Sequence, residues 1–302
     1  MGKKRTAVQD VLDAAHYRDL LSTAARLDDR EKAITTFYLA VVLCRVGLRG
    51  GDARQMTDDW YSRERGVIQI PPHAPCDYSL CDYYARQADD ATLDDYWRAK
   101  YDKGRTAYVY TQQQRDALER YFSEVPYSRV SYSTANRRVK LAAELTDAVN
   151  AARTYPHALR ATAATHLAWN NVLPVALDVQ FGWQNPGTRR AYIEQTGLLA
   201  RREIDKALGR DVETPTLVLE DPPTFAELRE SGDAVEPEGW TPDTSVESHP
   251  RGRDPEDQLE LDTFAGDADP RASTLVTVLP VIVVMSTLLC VLAASLVSSV
   301  LL

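Results

Sequence analysis

The sequence predicts a mainly α fold with a small antiparallel β-sheet (α+β), and three observations carry that reading. Apolar residues recur at helical spacing through most of the first 210 positions, as in Ile34, Phe37, Tyr38, Val41, Val42 and Val46. Only two short runs, Val67 to Ile70 and Thr106 to Tyr110, have the β-branched and aromatic composition of strands. Beyond them the composition changes: an acidic stretch begins at Asp211, and Leu275 to Leu302 holds no charged residue.

Taken in order, residues 7 to 27 and 31 to 46 are predicted helices, the second closing at Gly47, where a left-handed cap is easy. A short helix over Asp52 to Asp58 follows. Val67 to Ile70 is a strand stopped by Pro71 and Pro72, which cannot donate to a ladder. The polar stretch from Pro71 to Asp95 is read as an inserted loop. Thr106 to Tyr110 is the second strand, with Lys100, Lys103 and Arg105 in or beside a β-turn before it. Helices are expected at 111–123, 133–151, 157–169 and 174–180. Pro156 takes the first helical position, where its missing N–H does no harm. A helix around Thr188 to Glu194 follows Asn185 and Pro186 as cap and first turn. An amphipathic helix from Leu198 to Leu208 closes at Gly209.

Charge divides the chain. Its net charge is −9, yet eighteen Asp or Glu against three Arg lie between Asp211 and Asp269. That stretch carries about −15, and with Arg271 set aside residues 1–210 carry about +5, a balance that suits a polyanionic partner. Rich in Pro, Gly, Ser and Thr and poor in large apolar residues, residues 211–272 read as a disordered acidic linker. A helix over Leu275 to Leu302 would rise roughly 40 Å, enough to cross a hydrocarbon layer of about 30 Å, and Pro280 does not prevent spanning. Residues 273–302 are therefore expected to be a single-pass membrane anchor. The start, Met1 to Thr6, lacks the apolar run of a secretory signal, so the body is expected to be cytoplasmic. Gly2 and Thr6 fit a loose myristoylation pattern that is read as coincidence.

The four cysteines, Cys44, Cys76, Cys81 and Cys290, form no disulfide framework and fit a reducing compartment. His73, Cys76 and Cys81 offer the beginning of a zinc site, but three ligands at irregular spacing read equally as a loop with free thiols. No metal and no cofactor is expected.

The chemistry lies between residues 47 and 192. His157 and Arg160 stand three apart near the start of a predicted helix, so both project from one face close to a terminus that favours anions. Phe181-Gly182-Trp183 breaks the next helix. Tyr192 follows nine residues after Trp183, in the segment Thr188-Arg189-Arg190-Ala191-Tyr192, and a tyrosine hydroxyl needs such cationic company to attack phosphorus.

With these residues the chain resembles the tyrosine recombinase, or phage integrase, family over roughly residues 10–208. The family signature is an Arg after a helix, a Lys in a β-hairpin, a His-x-x-Arg helix, a His or Trp, and a Tyr. Gly47-Leu48-Arg49, with Asp52 where the family often braces that arginine, matches the first. Lys100-Tyr101-Asp102-Lys103-Gly104-Arg105 matches the hairpin pattern, with Lys103 as the second choice for the lysine. His157-Ala158-Leu159-Arg160, Ala164-Thr165-His166-Leu167, Gly182-Trp183 and Tyr192 then follow in family order. The distance from Arg49 to Lys100 is longer than in compact members, and the separate DNA-clamping domain usual in the family is expected to be missing.

The resemblance implies a site-specific recombinase acting on double-stranded DNA through a 3′-phosphotyrosyl link at Tyr192. Arg49 and Arg160 would hold the phosphate and Lys100 would protonate the leaving 5′-oxygen. His157 would assist proton removal from Tyr192, and Trp183 would donate its indole N–H. It further implies a homo-oligomer on DNA. The alternative is a catalytically inactive remnant serving as a membrane-tethered DNA-binding protein.

Overall fold

The computed structural model of the chain describes residues 7–76, 96–100, 103–125, 130–146, 148–185, 187, 189, 204–210 and 222–236. The chain divides into two compact units, residues 1–242 and 243–302, and every described residue belongs to the first.

Helix α2 (Arg30–Val41) is the centre of this unit. All of Ala33 to Val41 is buried, so the helix is apolar all round and is enclosed by α1 (Ala14–Arg26), α4 (Gln112–Glu124) and α5 (Tyr132–Glu144). Tyr38 stacks on Tyr121 of α4 with ring centroids 3.9 Å apart, and its hydroxyl donates to the Ala53 carbonyl at 2.8 Å. Asp13 and Asp29 cap α1 and α2 by accepting the His16 and Lys32 backbone N–H groups. The Asp13 cap also splits the helix expected over 7–27, leaving a 3₁₀ turn at Ala7–Asp10 ahead of α1.

After α2 the chain runs through one π turn, Val42–Val46, to Gly47 with φ +77°, the left-handed close expected there. Helix α3 (Gly50–Gln55) starts two residues earlier than expected and is followed by a 3₁₀ turn, Asp58–Trp60.

Strands β1 (Tyr61–Ser62), β2 (Val67–Ile70) and β5 (Arg105–Tyr108) form an antiparallel sheet in the order β1-β2-β5, with Ile70 opposite Arg105 and Val67 opposite Tyr108. The stretch from Pro71 to Asp95 was expected as a loop, but β3 (His73–Pro75) pairs with β4 (Tyr96–Arg98), His73 opposite Arg98. The prolines interrupt the hairpin rather than end it. Pro72 lacks an N–H but keeps its carbonyl, which accepts from Ala99 at 2.8 Å and carries the pairing past the gap.

Helix α5 stops at Glu144, well short of the expected residue 151, because Asn150 caps a separate 3₁₀ turn, Ala151–Arg153, with its side chain. The apolar period runs on through Leu145 and Val149 and hides that break from a reading of the sequence. Helix α6 (Pro156–Trp169) is buried from Ala158 to Ala168, its alanines letting neighbours approach closely. Helix α7 (Pro174–Phe181) closes in a Schellman turn: Gly182 has φ +60°, and the Trp183 N–H donates to the Asp178 carbonyl at 3.0 Å.

The acidic stretch is not structureless throughout. Thr224 caps helix α8 (Phe225–Glu230) in a capping box with Glu227, and the helix lies against α1 and α4. Phe225 is 1% exposed, with its ring 5.4 Å from that of Phe37, and its N–H donates to the Asp116 carboxylate at 2.9 Å. Arg229 Nη1 donates to the Ala25 and Leu27 carbonyls at 2.9 and 2.8 Å, and Val235 bridges to Leu27 in parallel register. The disordered-linker reading is thus corrected for residues 222–236. A few anchors in a polar background supply the burial that average composition conceals.

Apart from Arg189, the helix expected over Thr188 to Glu194, with Tyr192, lies outside the described residues. So does the start of the Leu198 to Leu208 helix, of which 204–207 is helical, with Gly209 at φ +67°. Leu275 to Leu302 also lies outside them; among the described residues no helix is long and apolar enough to cross a membrane.

Candidate active site

Two backbone turns carry the site. One leaves the π turn at Gly47 and reaches Arg49, the N-cap residue of α3; the other is the Phe181-Gly182-Trp183 turn that closes α7. They touch because Gly47 lacks a side chain, and the bare Gly182 makes room for Arg105 beside them. A Cβ on Gly47 would overlap the Phe181 ring, and one on Gly182 would overlap the Arg105 Cδ. Both glycines also hold positive φ, so the turns depend on them twice over.

The arginines cross between these turns. Arg49 Nη2 donates to the Gly182 carbonyl at 2.8 Å. Arg160, from α6, donates through Nη1 to the Gly47 carbonyl and through Nη2 to the Phe181 carbonyl at 2.6 Å. The Arg160 guanidinium also stands 5.2 Å from the Phe181 ring centroid, on the ring that Trp183 stacks against at 4.8 Å. A planar guanidinium can donate to two carbonyls at fixed angles, and these bonds aim both arginines at one turn.

Asp52 supplies the counter-charge. Only 2% exposed, it ion-pairs with Arg105 of β5. Burial pushes its carboxyl up, but Arg105 first, then Arg49 and more weakly Arg160, outweigh that and hold it below its usual range. The sequence placed Asp52 as the brace of Arg49; its ion pair is with Arg105, and Arg49 acts on it through charge. Three guanidinium groups therefore face this one carboxylate, and the cluster keeps the positive excess that a phosphodiester needs.

His157 is exposed in the first turn of α6, next to Pro156, whose Cβ comes within 3.5 Å of where a Gly50 Cβ would stand. The start of α6 thus abuts the start of α3, the helix that Arg49 opens. Lys100 stands just past β4, at the foot of the β3–β4 arm, while Lys103 is exposed. Trp97 of the same arm reaches α3, its Nε1 3.7 Å from where a Gly51 Cβ would lie. The structure therefore brings Arg49, Arg160 and Trp183 to one place, with His157 and Lys100 on elements adjoining it. Tyr192 lies outside the described residues.

Other candidates resolve differently. His166 is 1% exposed with Nε2 2.8 Å from the Leu12 carbonyl, so it ties the N-terminal segment to α6, and burial lowers its pKa. His73 is exposed on β3, whereas Cys76 is buried and its sulfur accepts from Gln55 Nε2 at 3.2 Å. Cys81 is outside the described residues, and among the described ones no cluster suited to a metal occurs.

Sequence reasoning missed Arg105, Gln180 and Phe181 as site residues. The available signal for Arg105 was the spacing Lys100-x-x-Lys103-x-Arg105; nothing local marked Gln180 or Phe181, which matter through contacts with residues far away in the chain.

Comparison with known proteins bears on the family and the fold. A profile of the phage integrase family matches residues 10–197. The fold resembles a Tn1549 transposon integrase variant in complex with transposon right-end DNA: TM-score 0.50, 18% identity, covering 68% of this chain and 68% of that one. It is also similar to a XerA recombinase (TM-score 0.45, 17% identity, 67% and 64% covered). A XerH recombinase bound to palindromic difH substrate is a further similar structure (TM-score 0.42, 13% identity, 66% and 52% covered). No curated protein sequence matches. Over more than half its length the chain carries the family's sequence pattern on a mainly helical body with small antiparallel sheets, and it belongs to the phage integrase family of tyrosine recombinases.

Proposed function

We propose that this DNA strand transferase cleaves and rejoins double-stranded DNA at specific sites with Tyr192 as nucleophile. The observation that carries the reading is the convergence of Arg49 and Arg160 on the turn that ends in Trp183. In-line attack of the Tyr192 hydroxyl on a phosphodiester forms a 3′-phosphotyrosyl bond and releases a 5′-hydroxyl, which keeps the bond energy for religation. Arg49 and Arg160 stabilise the charge on the non-bridging oxygens of the pentavalent transition state. Lys100 gives its proton to the leaving 5′-oxygen, His157 assists removal of the tyrosine proton, and the Trp183 indole N–H donates to the phosphate. No metal or nucleotide enters this scheme. Basic residues on the body supply affinity for the DNA backbone that falls with salt.

The body assembles on DNA as a homo-oligomer and is tethered to a membrane by Leu275 to Leu302, an uncharged stretch of sufficient length. What supports an enzyme over a DNA-binding remnant is the joint presence of Lys100, His157 and Tyr192, none of which binding alone requires.

The test is covalent trapping with the full chain, since cutting at residue 211 would remove the docked segment 222–236. The protein is incubated with nicked suicide duplexes taken from the DNA flanking its own gene, beside a Tyr192→Phe variant. A protein–DNA adduct lost in the variant is the expected result. Binding without any adduct would move the reading to a tethered DNA-binding protein.

A further inference from the structure

Arg105 lies on β5 in phase with the buried Ala107 and Val109, so the strand alternation turns it inward, and its side chain is only 6% exposed. Two partners on different elements take its guanidinium: Nη1 donates to the Gln180 carbonyl of α7 at 2.6 Å, and Nη2 pairs with the Asp52 carboxylate of α3. Its Nε is buried and finds no hydrogen-bond partner among the described residues. The group is thus held to Asp52 and Gln180 even at the expense of one unsatisfied donor. Its Cδ packs against Gly182, leaving no room for a side chain there.

Gln180 completes the strut from the other side. Its amide nitrogen donates to the Val46 carbonyl at 2.9 Å, and its amide oxygen accepts from the Tyr108 N–H at 2.8 Å. The end of α7, the strand β5, the start of α3 and the π turn are in this way joined through two side chains.

We propose that Arg105 is a positioning residue for strand transfer: by spanning Asp52 and the Gln180 carbonyl it sets the spacing of the two turns that carry Arg49 and Trp183 and that Arg160 grips from α6. The proposal rests on the recombinase reading above. Arg105 touches no DNA in this role. A lysine keeps its charge but, as a single ammonium on a flexible stem, lacks the planar fork that reaches both partners at fixed angles. Misplacement by about 1 Å of groups that grip a transition state costs on the order of 10²-fold in rate.

The experiment compares full-length wild type, Arg105→Lys and Arg105→Ala on the same nicked duplex. It reads the single-turnover rate of adduct formation at saturating DNA, the DNA dissociation constant and the thermal midpoint. For Arg105→Lys the adduct rate is expected to fall on the order of 10²-fold, while affinity stays within about threefold, less than 1 kcal/mol. Its midpoint should stay within a few degrees of wild type. Added guanidinium ion should restore part of the rate of Arg105→Ala, and ethylammonium should not. Wild-type cleavage by Arg105→Lys overturns the proposal. So does a loss that tracks the unfolded fraction and ignores guanidinium, which would make Arg105 a stability residue only. Absence of adduct from wild type itself removes the recombinase reading and the proposal with it, an outcome distinct from a change in the variant-to-wild-type ratio.

Discussion

The paired turns at 47–49 and 181–183 and the docked segment 222–236 are both short stretches of chain laid against helices, and they are held by opposite means. At the turns the holding groups are guanidiniums, carbonyls and one buried carboxylate, with glycines making the approach possible. In the docked segment the main anchor is one aromatic ring, Phe225, flanked by Arg120 and Arg229 at 5.4 and 6.0 Å and helped by a few bonds to the ends of α1 and α4. Loss of a partner in the first case misaims charges; in the second it empties a pocket. The first kind of damage should appear in chemistry and the second in stability.

Arg160→Ala is the sharpest way to break that contrast. It removes the donors that face Gly47 and Phe181, and adduct formation should fall by roughly 10²- to 10³-fold or more. Gly47→Ala should behave similarly although it deletes nothing, since its methyl group displaces Phe181 and its φ is strained. Near-normal cleavage by Gly47→Ala would mean that the two turns need not touch.

Phe225→Ala comes next, with the opposite signature. Truncating a buried phenylalanine costs about 3 to 5 kcal/mol. Here the cost is expected to appear first as undocking of the segment. Faster amide exchange and proteolysis in this segment, with an unchanged adduct rate, are expected. A cleavage defect equal to that of Arg160→Ala would join the two regions energetically.

A smaller effect separates them by pH. Asp52 is held below its ordinary range in the folded state by Arg105 and Arg49 against the cost of burial, so its ionised form stabilises the fold. That contribution is complete above the unfolded carboxylate value, about 4, and is lost as pH falls through the lower folded value. Urea midpoints taken from about pH 6 down to pH 3 should therefore drop less steeply for Asp52→Asn than for wild type. Parallel acid limbs would deny Asp52 this role.

The smallest effect is chemical. Cys44, buried in the π turn just before the first site turn, has its thiol pushed up to about 12 by burial, although Arg45 and Thr162 pull it down. Iodoacetamide at about pH 8 should leave it unmodified in the native protein and alkylate it after denaturation. Native labelling would show that the π turn opens readily.

Much of this was legible in the residues. The close at Gly47, the strand at Val67 to Ile70, Pro156 at a helix start and the break at Gly182 each arise from a local cause, whether a period, a missing N–H or a permitted left-handed φ. The failures have a common cause as well. Pro71 and Pro72 gave no hint that pairing resumes at His73, because the partner strand begins more than twenty residues later. The acidity of the 222–236 neighbourhood concealed Phe225 and Arg229, because a mean over a polar stretch gives little weight to two anchors. Asp52 was recognised as a brace, yet its partner Arg105 sits on another element.

What could be read in advance was the order along the chain of the residues that carry guanidinium, imidazole and indole, and the kind of local element on which they stand. Spacing along the chain and the preferences of single residues suffice for that, since both act within a few positions. The choice of Arg105 as the partner of Asp52, the aim of Arg49 and Arg160 at the 181–183 turn, and the docking of Phe225 on Phe37 came from packing alone. Each requires segments far apart in the chain to reach contact, and the directional bonds and excluded volume that select such contacts exist only after the core around α2 has closed.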